Sequence, residues 1–334
     1  MKLVLSVDGG GIRGLIPAIL LRALAERLAA AGDQRPFCHV FDLMAGTSTG
    51  GIIVAGLACP HPQGEGRPAC TPGELVRLYR EDGKKIFSRD RFRGLREALL
   101  SLNPGALMQE KYDFAEIEAA LQERLGIARL QDALTRVALT AYDIEARETR
   151  VMTNDPADDV YLFWQAARAT SAAPVYFEPA RAKNFTRGRI ETLVDGGVFV
   201  NDPALIAYTQ ARRCFPEDPD IAIVSLGTGT ATRPYEHRRV RNWGPIGWAD
   251  PRDAVPILSI MMHGQAHATQ RQLEILLGQR YIRIDAPLDA AMDDLDDASE
   301  TNLRALEAMA QEMIAAQHAK VDRIVALMRA HARG

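Results

Sequence analysis

With 334 residues, 47% of them hydrophobic and 25% charged, the chain has the balance of a globular protein of one large α/β domain or two small ones. Its 40 basic and 43 acidic residues leave a net charge of −3, so the basic footprint of a nucleic-acid binder is missing and no nucleic acid is expected. No apolar run reaches the roughly 18 residues needed to span a bilayer, and the start, Met1-Lys2-Leu3-Val4-Leu5-Ser6-Val7-Asp8, is too short in its apolar part for a secretory signal. A cytoplasmic location is expected.

Residues 2–7 read as a short buried strand, followed by the glycine-rich loop Asp8-Gly9-Gly10-Gly11-Ile12-Arg13-Gly14. A helix is predicted over residues 15–31, with Leu15, Ile19, Leu20, Leu24 and Leu28 at helical spacing, Pro17 in its first turn and Gly32 as its stop. The apolar stretch 40–45 reads as a second strand. It runs into Gly46-Thr47-Ser48-Thr49-Gly50 and a helix from Gly51 onward. Strand, tight turn and helix in that order put one serine at a sharp bend near a positive helix N-terminus. The flanking glycines leave room where a side chain would collide. The bland alternative is a Gly-rich strand-to-helix turn.

Residues 60–72 form a Pro- and Gly-rich surface loop, and Thr71-Pro72-Gly73-Glu74 opens a helix running to about Lys85. The basic stretch with Arg89, Arg91, Arg93 and Arg96 reads as a solvated face or as a contact for anionic headgroups. A helix is predicted over 114–125, strands over 137–143 and 149–153, and a helix over 163–172. Leu193-Val194 leads into Asp195-Gly196-Gly197, with a helix starting near Asp202-Pro203. Residues 221–226 are a buried strand ending in Gly227-Thr228-Gly229. A long irregular stretch holds Trp243 and Trp248, and a late strand covers 281–284. The acidic cluster Asp293, Asp294, Asp296 and Asp297 reads as helix-start carboxylates rather than a metal site, before helices over 300–315 and 319–331. Alternating strands and helices argue for one layered α/β domain with a largely parallel sheet. We take residues 1–334 as one domain, with a motif-bearing core over about 2–230 and a C-terminal strand and helices over about 255–331 packed on it. Cys38, Cys59, Cys70 and Cys214 have no Cys-x-x-Cys spacing and read as unpaired thiols.

Gly9, Gly11 and Gly14 also satisfy the dinucleotide-binding spacing. The acidic residue that this reading needs at a second strand end is unconvincing, because Asp33 lies in a polar turn. The economical reading is a nest of backbone N–H groups that binds an anionic oxygen, an oxyanion hole if Ser48 is near. Arg13 would support the loop or contact a phosphate. A serine needs a base. His39, His61, His318 and His331 read as surface or strand-entry residues. His237 lies in a charged run, and His263 and His267 stand at i, i+4 on a helix without the glutamate of a metal motif. Asp195, at a strand end before two glycines, is the stronger candidate, against the alternative of a plain Asp-Gly turn.

The three motifs at Asp8, Gly46 and Asp195, in that order, strongly resemble those of the patatin-like phospholipases, lipid acyl hydrolases related to the catalytic domain of cytosolic phospholipase A2. The segment Ala167-Arg168-Ala169-Thr170-Ser171-Ala172-Ala173-Pro174-Val175-Tyr176-Phe177 and Ser225-Leu226-Gly227-Thr228-Gly229 look like that family too. The resemblance covers residues 2 to about 306. It implies a three-layer α/β/α fold with a central, mainly parallel sheet. It implies a Ser48–Asp195 dyad without histidine, and an oxyanion hole from Gly9, Gly10 and Gly11 with Arg13 beside it. It implies no cofactor, no metal and no calcium for chemistry. The substrate would be a phospholipid or related lipid, met in transient contact with a membrane surface. Lid candidates are residues 89–107 and the stretch around Trp243 and Trp248. The rivals are an α/β-hydrolase esterase in which His237, His263 or His267 is essential, an acyltransferase, and a nucleotide-binding module. Some bacterial members are phage-defence effectors switched on by a cyclic nucleotide, a role that needs a pocket for a small-molecule activator.

Overall fold

The computed structural model describes residues 1–64, 66–83, 114–232, 234–248, 255–288 and 294–331. The arginine stretch at 89–96 with the lid candidate at 89–107, and Asp293, lie outside these described residues.

One mixed sheet organises the chain. Its strands are β1 (Lys2–Val7), β2 (Leu43–Gly46), β3 (Arg136–Asp143), β4 (Glu148–Thr153), β5 (Ala180–Asn184), β6 (Arg189–Asp195), β7 (Ile221–Leu226) and β8 (Tyr281–Ile284). They lie in the order β5-β6-β3-β2-β1-β7-β8, with β4 paired to β3. Pairings among β3, β2, β1, β7 and β8 are parallel, and those of β4, β5 and β6 are antiparallel. The helices are α1 (Leu15–Ala30), α2 (Thr49–Ala58), α3 (Pro72–Arg77), α4 (Phe114–Leu125), α5 (Phe163–Thr170), α6 (Ala204–Cys214), α7 (Pro256–Leu277), α8 (Glu300–Ala316) and α9 (His318–His331), with single helical turns at His237–Val240 and Pro245–Trp248.

Strand periodicity separates the two faces. Leu3, Leu5 and Val7 of β1 pack with α1, α2, α5 and α8 on one side. Val4, with Leu43 and Ala45 of β2, packs with Ala204, Ala207 and Ala211 of α6 and Leu273 of α7 on the other. Both faces are covered, which is why β1 and β7 read as continuous apolar runs. The result is helices, sheet, helices.

Some boundaries differ from the sequence-based reading. The second strand begins at Leu43, not residue 40, because Phe37–His39 form a helical turn. The helix opened by Thr71 is α-helical only to Arg77, and a π-turn follows over Leu78–Asp82. Thr71 and Glu74 form the capping box that their spacing suggests. The hairpin β5–β6 was legible only at its last residues.

Topology sets the working edge. β1, β2 and β7 are parallel, so the loops after Val7, Gly46 and Leu226 leave the sheet on the same side. β6 arrives from the opposite direction. Gly46 is registered with Leu139 of β3 and Asp195 with Ala141 of the same strand. The ends of β2 and β6 therefore face one another beside β3, two residues or about 7 Å of strand apart.

Candidate active site

Ser48 stands at the bend between β2 and α2 with φ 54° and ψ −124°. A residue with a Cβ is held there at a cost of about 1–3 kcal/mol. Close packing forces the conformation. A Cβ on Gly46 would sit 2.3 Å from the Gly50 carbonyl oxygen, and one on Gly50 would sit 2.1 Å from the Val7 carbonyl oxygen. No other residue fits at either position while the turn stays this tight.

Two further contacts come from the end of α5 and the residues just after it. The Ser48 amide donates to Thr170 Oγ1 at 3.0 Å. The Asp195 amide donates to the Ala172 carbonyl at 3.0 Å. One short segment thus holds the backbone of both residues. Thr47 Oγ1, which shares a 2.7 Å hydrogen bond with Thr140 Oγ1, also donates to the Val200 carbonyl at 2.8 Å, tying the bend to the loop after Asp195.

Ser48 and Asp195 are brought together. Burial pushes the Asp195 carboxyl up to about 7, against hydrogen bonds from the Ser48 hydroxyl and the Gly197 amide that act to lower it. The Gly197 contact is 2.7 Å. Desolvation disfavours the charged carboxylate, and two donors are too few to restore an ordinary value.

The glycine loop forms the third wall. The Gly9 amide donates to the Asn201 carbonyl at 3.0 Å. This corrects the expectation of three oxyanion donors, since Gly9 is committed elsewhere. Neither the Gly10 nor the Gly11 amide donates to a protein acceptor among the described residues, and both glycines line the cavity that holds Ser48. Their direction has a cause. Thr228 Oγ1 donates to the Gly9 carbonyl at 2.7 Å. Arg13 donates to the Gly10 carbonyl through its amide at 3.1 Å and its Nε at 3.4 Å. In a trans peptide the N–H points opposite to the preceding carbonyl. Pinning the Gly9 and Gly10 carbonyls therefore turns the next two N–H groups away, toward the cavity.

Behind the loop lies a buried charge cluster. Arg283 of β8 donates to Asp8 at 2.6 Å, Asp285 at 2.7 Å, Asp202 at 3.2 Å and Ser225 Oγ at 2.7 Å. Burial lifts Asp8 and Asp202 above the usual carboxylate range, and Arg283 works against that. Arg283 is itself held charged by the three carboxylates. Sequence reading missed Thr170, Asn201, Thr228 and Arg283 as site residues. Thr170 and Thr228 sat inside segments already singled out, whereas Arg283 carried no local signal.

Ser48 lies in a cavity that opens to solvent at its mouth. Its walls are apolar, with Ile52, Leu78, Ile117, Leu121, Phe177 and Met262 among them, and its polar end holds Ser48 and Asp195. That is the form of a site for a long apolar ligand with one reactive polar group. Among the described residues no histidine lines it. His263 and His267 face a separate polar pocket with Asp8 and Arg283, and His237 is exposed. Asp33 pairs with Arg35 in the turn after α1 and does not stand at a strand end, where a dinucleotide ribose would need it. Asp297 accepts the Ser299 amide at the start of α8 at 2.9 Å. Among the described residues no group of acidic, histidine or cysteine side chains is arranged to hold a metal ion.

Residues 5–208 match the family model described as "Patatin-like phospholipase". The chain belongs to the patatin-like phospholipase family. It is 30% identical to Patatin-04/09 of Solanum tuberosum over 345 residues, covering 94% of this chain and 84% of the relative. It is likewise 30% identical to Patatin-like protein 1 of Oryza sativa subsp. indica over 350 residues, covering 96% and 82%. Two solved structures resemble it distantly. VipD from Legionella pneumophila has TM-score 0.39 and 12% identity, over 93% of this chain and 67% of VipD. Human GIVD cytosolic phospholipase A2 has TM-score 0.43 and 11% identity, over 99% and 59%. Membership of the patatin-like phospholipases supports a lipid acyl hydrolase activity. No helix among the described residues is long and apolar enough to cross a membrane.

Proposed function

We propose that this patatin-like phospholipase cleaves fatty-acyl esters of phospholipids through Ser48 as nucleophile and Asp195 as its base. One observation carries the reading: the Ser48 hydroxyl and the buried Asp195 carboxyl, whose pKa burial raises, share the polar end of an apolar cavity with Gly10 and Gly11.

The acyl chain lies along the apolar walls and brings its ester carbonyl to Ser48. Asp195 takes the hydroxyl proton as Ser48 Oγ attacks the carbonyl carbon. A carboxylate near 7 is a better base than one near 4, and a good part of it is still ionised at neutral pH. The amides of Gly10 and Gly11 receive the developing oxyanion. Each such donor is worth about 10²–10³ in rate. Collapse expels the lysolipid alkoxide, which takes the proton from Asp195. Water then attacks the acyl-enzyme, Asp195 again accepting a proton, and the fatty acid leaves as Ser48 is regenerated. The absence of histidine from the described cavity lining favours this route over a triad.

A long-chain alkyl fluorophosphonate tests the nucleophile. The wild type is expected to gain the mass of one phosphonyl group on the peptide carrying Ser48, and Ser48→Ala none. Labelling of another residue, or of Ser48→Ala to the same extent, would overturn the assignment.

A further inference from the structure

The first half of α7 carries apolar side chains in two directions. Leu258 and Met262 line the Ser48 cavity. Ile257, Ile260 and Met261 turn outward, with 45%, 41% and 44% of their surface exposed. Their i, i+3, i+4 spacing puts them on one face. Three exposed apolar side chains on one helix face are the kind of feature a contact surface uses. The helical turn Pro245–Trp248 packs against this helix. Its Trp248 meets Trp243 edge-on at 5.3 Å, and Trp243 meets Tyr235 at 5.6 Å. Exposed Arg238 and Arg241 stand between Tyr235 and Trp243 in the chain. No aspartate or glutamate occurs from His237 to Trp248, and none in α7 before Glu274. The segment from His237 to Trp248 thus carries three arginines and no carboxylate, with Glu236, Asp250 and Asp253 just outside it.

We propose that this face seats the enzyme on an anionic phospholipid bilayer. The proposal rests on the lipid-hydrolase reading above. Ile257, Ile260 and Met261 enter the acyl boundary, the indoles sit at headgroup level, and the arginines meet lipid phosphates. A lipid tail leaving the bilayer passes from the outward face of α7 to Leu258 and Met262, and so into the cavity. A symmetric dimer through the same patch would set its arginines near a second copy of the same arginine-bearing patch, which favours the anionic surface over a second copy.

Vesicle sedimentation tests this without turnover when every protein carries Ser48→Ala. The parent is expected to bind vesicles of equimolar phosphatidylcholine and phosphatidylglycerol, and pure phosphatidylcholine far less. Each arginine near an anionic surface is worth about fivefold in affinity. Arg238→Glu with Arg241→Glu should therefore lower binding by at least about 25-fold. Ile257→Asp with Ile260→Asp should lower it on both vesicle types. With Ser48 intact, both double variants should hydrolyse a soluble short-chain ester as the wild type does while losing vesicle hydrolysis. Equal vesicle binding by all three Ser48→Ala proteins would overturn the proposal. So would a dimer that the substitutions split with no change in vesicle binding. Because the binding readout needs no catalysis, a wild type that binds in the expected pattern but hydrolyses nothing would leave the docking face standing and remove the hydrolase reading instead.

Discussion

Asp195 carries the most testable chemistry at the scale of single residues. In the proposed mechanism its carboxyl must be ionised to accept the Ser48 proton, and burial pushes it up to about 7. The rate kcat/KM on a soluble ester should therefore rise with pH along an acid limb whose midpoint lies near 7, rather than near the ordinary carboxylate value. A profile flat from about pH 5 to about pH 9 would exclude Asp195 as the base. The same burial has a stability signature. The folded pKa lies above the unfolded value of 3.8, so protonated Asp195 stabilises the fold at low pH and that contribution is lost as pH rises through 7. Asp195→Asn does not titrate. It should be inactive, and its stability relative to wild type should grow across that window to at most about 4 kcal/mol. Ser48 and Asp195 were both legible in the sequence because glycines flank them, and glycine beside a polar residue at a strand end is a local signal. The commitment of the Gly9 amide was not legible, since its acceptor, the Asn201 carbonyl, lies far along the chain.

Among the elements, the loop after β6 does more than carry Asp195. Its Asn201 carbonyl takes the Gly9 amide, its Val200 carbonyl takes the Thr47 hydroxyl, and its Asp202 meets Arg283. Asp195, the serine turn and the glycine loop are thus fastened to one segment. Thr228, in the loop after β7, completes the fastening by pinning the Gly9 carbonyl. Thr228→Val keeps the shape and removes the donor. We expect kcat to fall about tenfold with KM little changed, and stability to fall by about 1 kcal/mol. Unchanged kcat would mean that the Gly10 amide holds its direction without Thr228. The elements themselves were mostly readable, because β1, β7 and α1 announce their periods. The hairpin β5–β6 was not. Its inward residues on β5 are Ala180, Ala182 and Asn184, which carry little hydrophobic signal. Asn184 is buried because it hydrogen-bonds Tyr161 and Glu191. Arg283 gave no sign of its role either, since what matters is its reach from β8 across β7 to Asp8.

For the whole molecule, the mixed sheet explains why so short a set of motifs suffices. Parallel β1, β2 and β7 deliver the glycine loop, Ser48 and Thr228 to one edge, and the reversed β6 delivers Asp195 to meet them. The alternation of strands and helices made the layered architecture and parallel core legible. The reversal of β6 was not, because strand direction follows from pairing partners that no local pattern names. Among the described residues an apolar cavity lies at that edge and, beside it, the outward face of α7. The most direct test of the account is fatty-acid release from phospholipid vesicles, without calcium, by wild type and Ser48→Ala. The account predicts release by the wild type and a fall of at least about 10³ in the variant. Release that survives in Ser48→Ala would contradict it at its centre.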